Sequence, residues 1–231
     1  MEKSKNTLQT LDRGLQALSI IAQQDSGISI AELAARLEVH RAIAYRIVTT
    51  LEDHFLISRG AEGVIRLGAG ATLLAARFEP RLRAVAQQPL FDLAKQSQAS
   101  AFISVTQGNE CMVIMVADPE ESLMRVGYRI GSRHPLHQGA AGIAILSGRK
   151  AHPEDSEAVI QGRELGYSLT HGQLQPGAIG VASPISRPHN QHFFEACVGV
   201  VALNSLDLDI ATQAVPEAAA IISQLLGAAT A

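Results

Sequence analysis

The stretch Ser29-Ile30-Ala31-Glu32-Leu33-Ala34-Ala35-Arg36-Leu37-Glu38-Val39-His40-Arg41-Ala42-Ile43-Ala44-Tyr45-Arg46-Ile47-Val48-Thr49-Thr50-Leu51 decides how the chain is read. Ser29, with Glu32 three residues on, has the spacing of a capping box, in which two side chains satisfy free backbone N–H groups where a helix begins. Leu33, Ala34 and Leu37 then recur at helical spacing. Glu38-Val39-His40 leaves room only for a tight turn. A second helix is predicted from Arg41 to about His54, with Ala44, Ile47, Val48 and Leu51 on one face at i, i+3, i+4, i+7. The other face carries Ala42, Arg46 and Thr49, flanked by Ile43, Tyr45 and Thr50, with Arg41 in the first turn. Two helices joined by a short turn, the second with such a face, predict a helix-turn-helix whose second helix enters the DNA major groove.

The residues on either side extend this reading. Leu56-Ile57-Ser58-Arg59 and Val64-Ile65-Arg66-Leu67 flank the glycine-containing loop 60–63, which predicts a hairpin. A hairpin directly behind a recognition helix is a wing, from which Arg59 and Arg66 are expected to reach phosphates. Upstream, Leu8, Leu11, Leu15, Leu18 and Ala22 alternate steps of three and four, predicting an amphipathic helix over 7–24 whose leucine stripe completes a trihelical core.

The chain has 231 residues, 47% of them apolar, enough for two modest domains with real cores. No run of apolar residues is long enough to span a membrane. Met1-Glu2-Lys3-Ser4-Lys5-Asn6 has no apolar segment behind it and does not read as a secretory signal. Cys111 and Cys197 are too few for a disulfide framework, so a reduced, cytoplasmic setting is expected. The net charge is −3, and the first 80 residues hold nine Lys/Arg against nine Asp/Glu. DNA affinity depends on neutralising phosphates. A single copy is therefore expected to bind weakly, and a dimer, with its arginines clustered on one surface, to double the contacts.

The domains are expected at 1–70, a helical linker at 71–97 and a second domain at 98–231. In the linker, 71–78 is expected to pack on the first domain, and the linker as a whole either makes a dimer contact or is a plain connector packed on the second domain. A helix from Pro80 turns Leu82, Val85, Ala86, Leu90, Leu93 and Ala94 inward, with Pro89 kinking it or starting a turn. From residue 100 the pattern changes to strands: 101–106, a turn at 107–110, 111–117, and a third strand over 123–130. Residues 133–137 read as a loop, 139–146 as a helix that starts with small residues, and 153–166 as a polar helix. Strands follow at 178–185 and 196–203. Pro216 is expected to open a last helix with Ile221, Ile222, Leu225 and Leu226 inward. The fold class is thus α+β in two domains, the second an antiparallel sheet flanked by helices.

The start of the 139–146 helix is the best candidate for a ligand pocket. Small side chains let a ligand approach the backbone, and a helix N-terminus favours a carboxylate or other anion. The same residues also suit close packing of a helix on a sheet. His134 and His137 form an H-x-x-H pair beside this helix, while Cys111, His171, His189 and His192 lie elsewhere. They match no metal signature, so neither metal nor cofactor is expected. Ser183 lacks a nucleophile elbow, and Glu120-Glu121 reads as a solvated turn. No catalytic residue is assigned. The rival readings are a metal-dependent hydrolase using Cys111, His134 and His137, and a ligand-binding module whose helix-turn-helix only dimerises.

With these residues in view, the chain resembles the IclR family of bacterial transcriptional regulators over nearly its whole length. Ala44-Tyr45-Arg46-Ile47-Val48-Thr49-Thr50-Leu51 is similar to that family's recognition helix. Pro135-Leu136-His137-Gln138-Gly139-Ala140-Ala141-Gly142, Arg163-Glu164-Leu165-Gly166-Tyr167-Ser168 and the stretch 176–185 are similar to its GAF-like effector domain. The resemblance implies a homodimer or homotetramer, double-stranded operator DNA as partner, and a small organic effector that changes DNA binding. It places DNA contacts at Arg41, Ala42, Ile43, Tyr45, Arg46, Thr49, Arg59 and Arg66. It places effector contacts at Leu123, Val126, Ala140, Ala141, Thr170, Ala178, Gly180, Ala202 and Asn204. Where the family often has Ser-Thr before Tyr-Arg, this chain has Ala42-Ile43. Ile143 stands where a lysine is usual, and Thr170 where some members are acidic. A mostly apolar pocket is expected, with the helix N-terminus and Asn204 orienting a carboxylate or carbonyl.

Overall fold

The computed structural model describes residues 7–119, 128–186 and 194–228. Its contacts divide the chain into two units, Met1–Pro80 and Arg81–Ala231.

In the first unit, helix α1 (Gln9–Ala22) is followed by α2 (Ile30–Arg36) and α3 (Arg41–Asp53). The antiparallel pair β1 (Ile57–Arg59) and β2 (Ile65–Leu67) then forms the hairpin. The Ser29 hydroxyl accepts from the Glu32 N–H at 3.2 Å, the predicted cap. The Glu32 carboxylate pairs with Arg36 at 2.8 Å. Glu38 turns the chain between α2 and α3 with φ of +53°. Leu33, Ala34 and Leu37 of the first helix and Ala44, Ile47, Val48 and Leu51 of the second are buried, as their spacing requires. Ile28 bridges to Ile65 and ties the start of α2 to the wing.

Helix α1 corrects the expected leucine stripe. Ala17 and Ile21 are its buried residues, at 0% and 1% exposure, whereas Leu8, Leu11 and Leu15 stand 75%, 59% and 56% exposed. Leu18 is half-buried and Ala22 exposed. Both stripes have helical periodicity, so spacing alone could not choose between them. The narrow alanine lets α1 seat closely against the other helices and leaves the larger leucines outside. Helix α4 (Gly70–Ala76) buries none of its residues, so Leu73 and Leu74 are exposed as well, against the expectation of packing on the first domain.

The second unit opens with α5 (Pro80–Ser97), where Leu82, Ala86, Leu90, Leu93 and Ala94 are buried and Val85 is half-buried. The helix is continuous through Pro89 rather than ending there. A six-stranded antiparallel sheet follows, in the order β5-β4-β3-β8-β7-β6. Its strands are β3 (Ser100–Gln107), β4 (Glu110–Ala117), β5 (Arg133–Pro135), β6 (Ser168–His171), β7 (Ala178–Ile185) and β8 (Ala196–Leu203). Three helices complete the unit: α6 (Gly139–Ser147), α7 (Glu157–Leu165) and α8 (Leu208–Ala228).

Several expectations change here. Residues 133–135 are a short edge strand instead of loop, and 168–171 is a strand the sequence reading missed, both too short for alternation to be read. The expected strand 123–130 lies mostly outside the described residues, and Tyr128–Ile130 is not strand. The polar helix is shorter than predicted. Helix α8 begins at Leu208 and carries Pro216 within it, so the proline does not open the helix. Ile222 and Leu226 face inward, while Ile221 and Leu225 are 50% and 42% exposed.

Strand alternation assigns the two faces of the sheet. Phe102, Ala178, Gly180, Ala182, Cys197 and Val201 point one way, and α6 packs on that side. Val181 and Val200 point the other way and are fully buried, with α8 packed on β7 and β8.

Candidate functional site

In the first unit, α3 buries one stripe and exposes Arg41, Ala42, Ile43, Tyr45 and Arg46. Thr49 is half-buried because Arg59 donates to its hydroxyl at 3.1 Å. Arg59 also pairs with Glu52 at 2.8 Å and lies 4.9 Å from the Tyr45 ring centroid, a cation–π contact. Arg66 donates to the Ser26 carbonyl from both Nε and Nη2. Arg59 is half-buried and engaged within its own domain, whereas Arg66 makes its contact while remaining exposed. Arg59 clamps the wing to α3 and holds the Tyr45 ring, and Arg66 clamps the wing to the α1–α2 loop. Their guanidinium groups are long enough to find acceptors inside their own domain, which a linear sequence does not display. The cations left facing outward from α3 are Arg41 and Arg46.

In the second unit a cavity of about 260 Å³ lies between α6, the sheet and the loop after β6. Ala140, Ala141, Thr170, Ala178 and Gly180, five of the positions where the resemblance places effector contacts, line it. Gly180 is also where α6 and the sheet approach closely: a Cβ there would lie 3.3 Å from that of Ala140. The small residues thus serve packing and cavity together. Leu123 and Val126 lie outside the described residues. Ala202 is on the opposite face of β8, paired with Ile179, so its neighbour Val201 lines the cavity instead. A shift of one residue along a strand exchanges faces. Asn204, with φ of +59°, donates its N–H to the Gly177 carbonyl at 2.8 Å and fixes the turn before β7 rather than lining the cavity.

The helix N-terminus differs from the expectation too. Gln173 places its amide oxygen 2.8 Å from the Gly139 N–H and caps α6. A ligand carboxylate would have to replace this amide to use that donor. Arg133 lines the outer part of the cavity and is exposed, with Glu110 at 3.8 Å.

Phe102, Tyr128, His134 and Val201 line the inner part, none of them assigned from sequence. The phenol of Tyr128 lies 3.1 Å from His134 Nε2, and Cys111 Sγ lies 3.2 Å from the same nitrogen. His134 Nδ1 is 3.1 Å from the Pro135 carbonyl, an acceptor only, so Nδ1 carries the proton and donates. Burial lowers the His134 pKa below its usual value, partly offset by backbone hydrogen bonds. Burial pushes the Cys111 thiol up to about 12 and raises the Tyr128 phenol above its usual range. All three are therefore uncharged near neutral pH, and Cys111 is not poised as a nucleophile. The convergence of residues 128 and 134 depends on the chain reversal at Gly131, which sequence spacing alone does not show.

His137 is exposed while His134 is buried, so the H-x-x-H pair diverges. Among the described residues, no three His, Cys, Asp or Glu side chains converge to hold a metal. His189 and His192 lie outside the described residues, as do Glu120 and Glu121. Ser183 donates to the Gly166 carbonyl and sits in a structural role. No described helix is long and apolar enough to cross a membrane.

Comparison with known proteins gives the same two parts. Residues 10–59 match the IclR helix-turn-helix domain, and residues 78–171 match the C-terminal domain of bacterial IclR transcriptional regulators. The chain is similar to an HTH-type transcriptional regulator of Mycobacterium tuberculosis, 30% identical over 61% of this chain and 54% of the relative. It is similar to the acetate operon repressor of Salmonella typhimurium, 28% identical over 72% of this chain and 61% of the relative. The chain thus spans a little over half the length of these curated relatives. Among solved structures, an IclR homologue from Microbacterium hydrocarbonoxydans complexed with 4-hydroxybenzoate superposes with a TM-score of 0.75 at 21% identity. That superposition covers 95% of this chain and 99% of the other.

Proposed function

Because this chain belongs to the IclR family of bacterial transcriptional regulators, we propose that it binds double-stranded operator DNA through α3 and that a small organic molecule in the cavity beside α6 changes that binding. The observation that carries the reading is the pairing, in one chain, of a recognition helix that exposes Arg41, Tyr45 and Arg46 with a cavity of about 260 Å³ in the second unit. Arg41 and Arg46 contact phosphates or base edges, and Ala42 and Ile43 offer methyl groups to thymines. Tyr45 and Thr49 are held in place by Arg59. The relative with bound 4-hydroxybenzoate supports an aromatic or acyl acid as effector, with Arg133 the exposed cation at the cavity mouth. The protein acts in the cytoplasm and is not an enzyme.

The effector acts by favouring one of two arrangements of the joined units, and only a difference in its affinity for the two can shift them. The segment running through α4 and α5 carries the connection. Anisotropy binding to DNA flanking the protein's own gene, at several salt concentrations and with a panel of aryl and acyl acids, tests the proposal. Salt-sensitive, site-specific binding altered by one class of acid is the expected result. Absence of any site-specific binding overturns it.

The working form is at least a dimer, and the exposed leucines of α1 supply the contact. Leu8, Leu11 and Leu15 all stand exposed along α1. Each leucine buried in that contact contributes about 1.5–3 kcal/mol. The double substitution Leu11→Glu and Leu15→Glu should convert dimer to monomer in sedimentation velocity while leaving the fold intact. A variant that still sediments as wild type would refute the assignment.

A further inference from the structure

Two hydrogen-bond donors at the inner end of the cavity compete for one acceptor. His134 Nδ1 donates to the Pro135 carbonyl, so Nε2 has a single lone pair. Both the Tyr128 hydroxyl, at 3.1 Å, and the Cys111 thiol, at 3.2 Å, are within reach of it. Only one of them can donate to that lone pair at a time. Cys111 is fully buried and does not line the cavity, whereas Tyr128 does. The Phe102 ring meets that of Tyr128 edge-on with centroids 4.8 Å apart, which keeps the phenol directed at this end. The buried Ser104 hydroxyl, two residues along β3 from Phe102, also bears on the Tyr128 phenol. At the His134 lone pair, therefore, two donors meet one acceptor.

Resting on the reading of this cavity as the effector site, we propose that Tyr128 determines its specificity: the phenol O–H donates to an uncharged oxygen acceptor, such as a ketone or amide carbonyl, at the inner end of the ligand. When it does so, the Cys111 thiol takes over the His134 lone pair, so no buried group loses its partner. Cys111 and His134 are positioning residues in this arrangement, since they act through Tyr128. A carboxylate does not suit the inner end. Among the described residues lining the cavity, the cation is Arg133, which is exposed at the mouth, and an anion stripped of water without a partner is costly. A ligand with a carboxylate outward and a carbonyl inward satisfies both ends. The walls between them, from Phe102, the alanines and Val201, suit a flat apolar body.

The test uses the full-length protein and two probes of nearly the same shape, 4-acetylbenzoate and 4-ethylbenzoate, titrated calorimetrically. Wild type is expected to bind the acetyl compound at least tenfold more tightly, because an unmatched buried donor is the penalty for the ethyl compound. Tyr128→Phe should reduce that preference to less than threefold while leaving 4-ethylbenzoate affinity within threefold of wild type. Cys111→Ala should weaken 4-acetylbenzoate several-fold and leave 4-ethylbenzoate unchanged, since Tyr128 would then be the one donor available to His134. A merely structural role for Cys111 would move both probes together. Binding of both probes without preference in wild type overturns the role of Tyr128 but leaves the cavity as the ligand site. Failure of both probes to bind at millimolar concentration overturns the cavity reading and this inference with it.

Discussion

Arg46→Ala is expected to abolish operator binding at physiological salt while leaving the protein folded. The side chain projects from the exposed side of α3, and the helix is held by Ala44, Ile47, Val48 and Leu51 on its other side. Truncation therefore removes no core contact. A single arginine contact to a base edge or phosphate is worth about 1–3 kcal/mol. In the proposed dimer the loss applies twice, so about 2–6 kcal/mol disappears, on the order of 30-fold to 20,000-fold in affinity. The wide range is informative. If Arg46 meets only phosphate, binding should fall on every sequence and the salt slope should shrink by about 0.9 for each arginine lost. If it reads a base, discrimination between operator and random DNA should narrow as well. Arg36→Ala is the control, because Arg36 is a surface arginine of the same unit paired with Glu32 within α2. It should leave affinity within about twofold, as an exposed i,i+4 pair contributes only a few tenths of a kcal/mol. Anisotropy titrations of both variants on operator and random duplexes decide the matter. Unchanged operator affinity in Arg46→Ala would remove α3 from the interface.

The second large effect is expected from Gly142→Ala. A Cβ at this position would overlap the Leu136 carbonyl oxygen and sit 2.8 Å from Leu136 Cα. The obstacle is backbone, so no rotamer change relieves it. Either α6 moves away from the β5 connection or the variant remains strained, at a cost of about 1–3 kcal/mol or more. Since α6 supplies Ala140 and Ala141 to the cavity, ligand binding should weaken together with stability. In a thermal melt the transition of the second unit should fall by several degrees, while that of the first unit remains in place. Gly227→Ala in α8 is the comparison, because a Cβ there meets nothing within 4 Å. It should be neutral or mildly stabilising, as alanine is the better helix former. Equal melting behaviour of Gly142→Ala and wild type would mean that the β5–α6 connection yields freely.

The helix-turn-helix was legible because its signals are local. A cap residue, a three-residue turn and a four-residue stripe each fix φ/ψ or burial within one or two helical turns, and Ser29, Glu38 and Leu51 behave as their neighbours in sequence demand. The alanine–glycine start of α6 was legible for the same reason, and it does border the cavity. What failed was any choice between two periodic faces. On α1 the leucines and the Ala17–Ile21 pair are equally spaced for a helix. Hydrophobicity favours the leucines, but the space left by α2, α3 and the wing admits the smaller pair.

The sequence by itself therefore determined the two-part architecture, the recognition helix and the position of the cavity along the chain, because these follow from short-range periodicity and capping. Tertiary structure alone decided which groups share an environment. Val201 rather than Ala202 lines the cavity because strand register sets parity across β7 and β8. Arg59 and Arg66 bond within their own domain because Thr49, Glu52 and Ser26 lie within reach only after folding. Cys111 and His134 meet because β4 and β5 pair antiparallel, and Tyr128 reaches His134 across the turn at 130–131. Those encounters join residues many positions apart, and the energy that selects them comes from packing and hydrogen bonding across the fold, which no local pattern encodes.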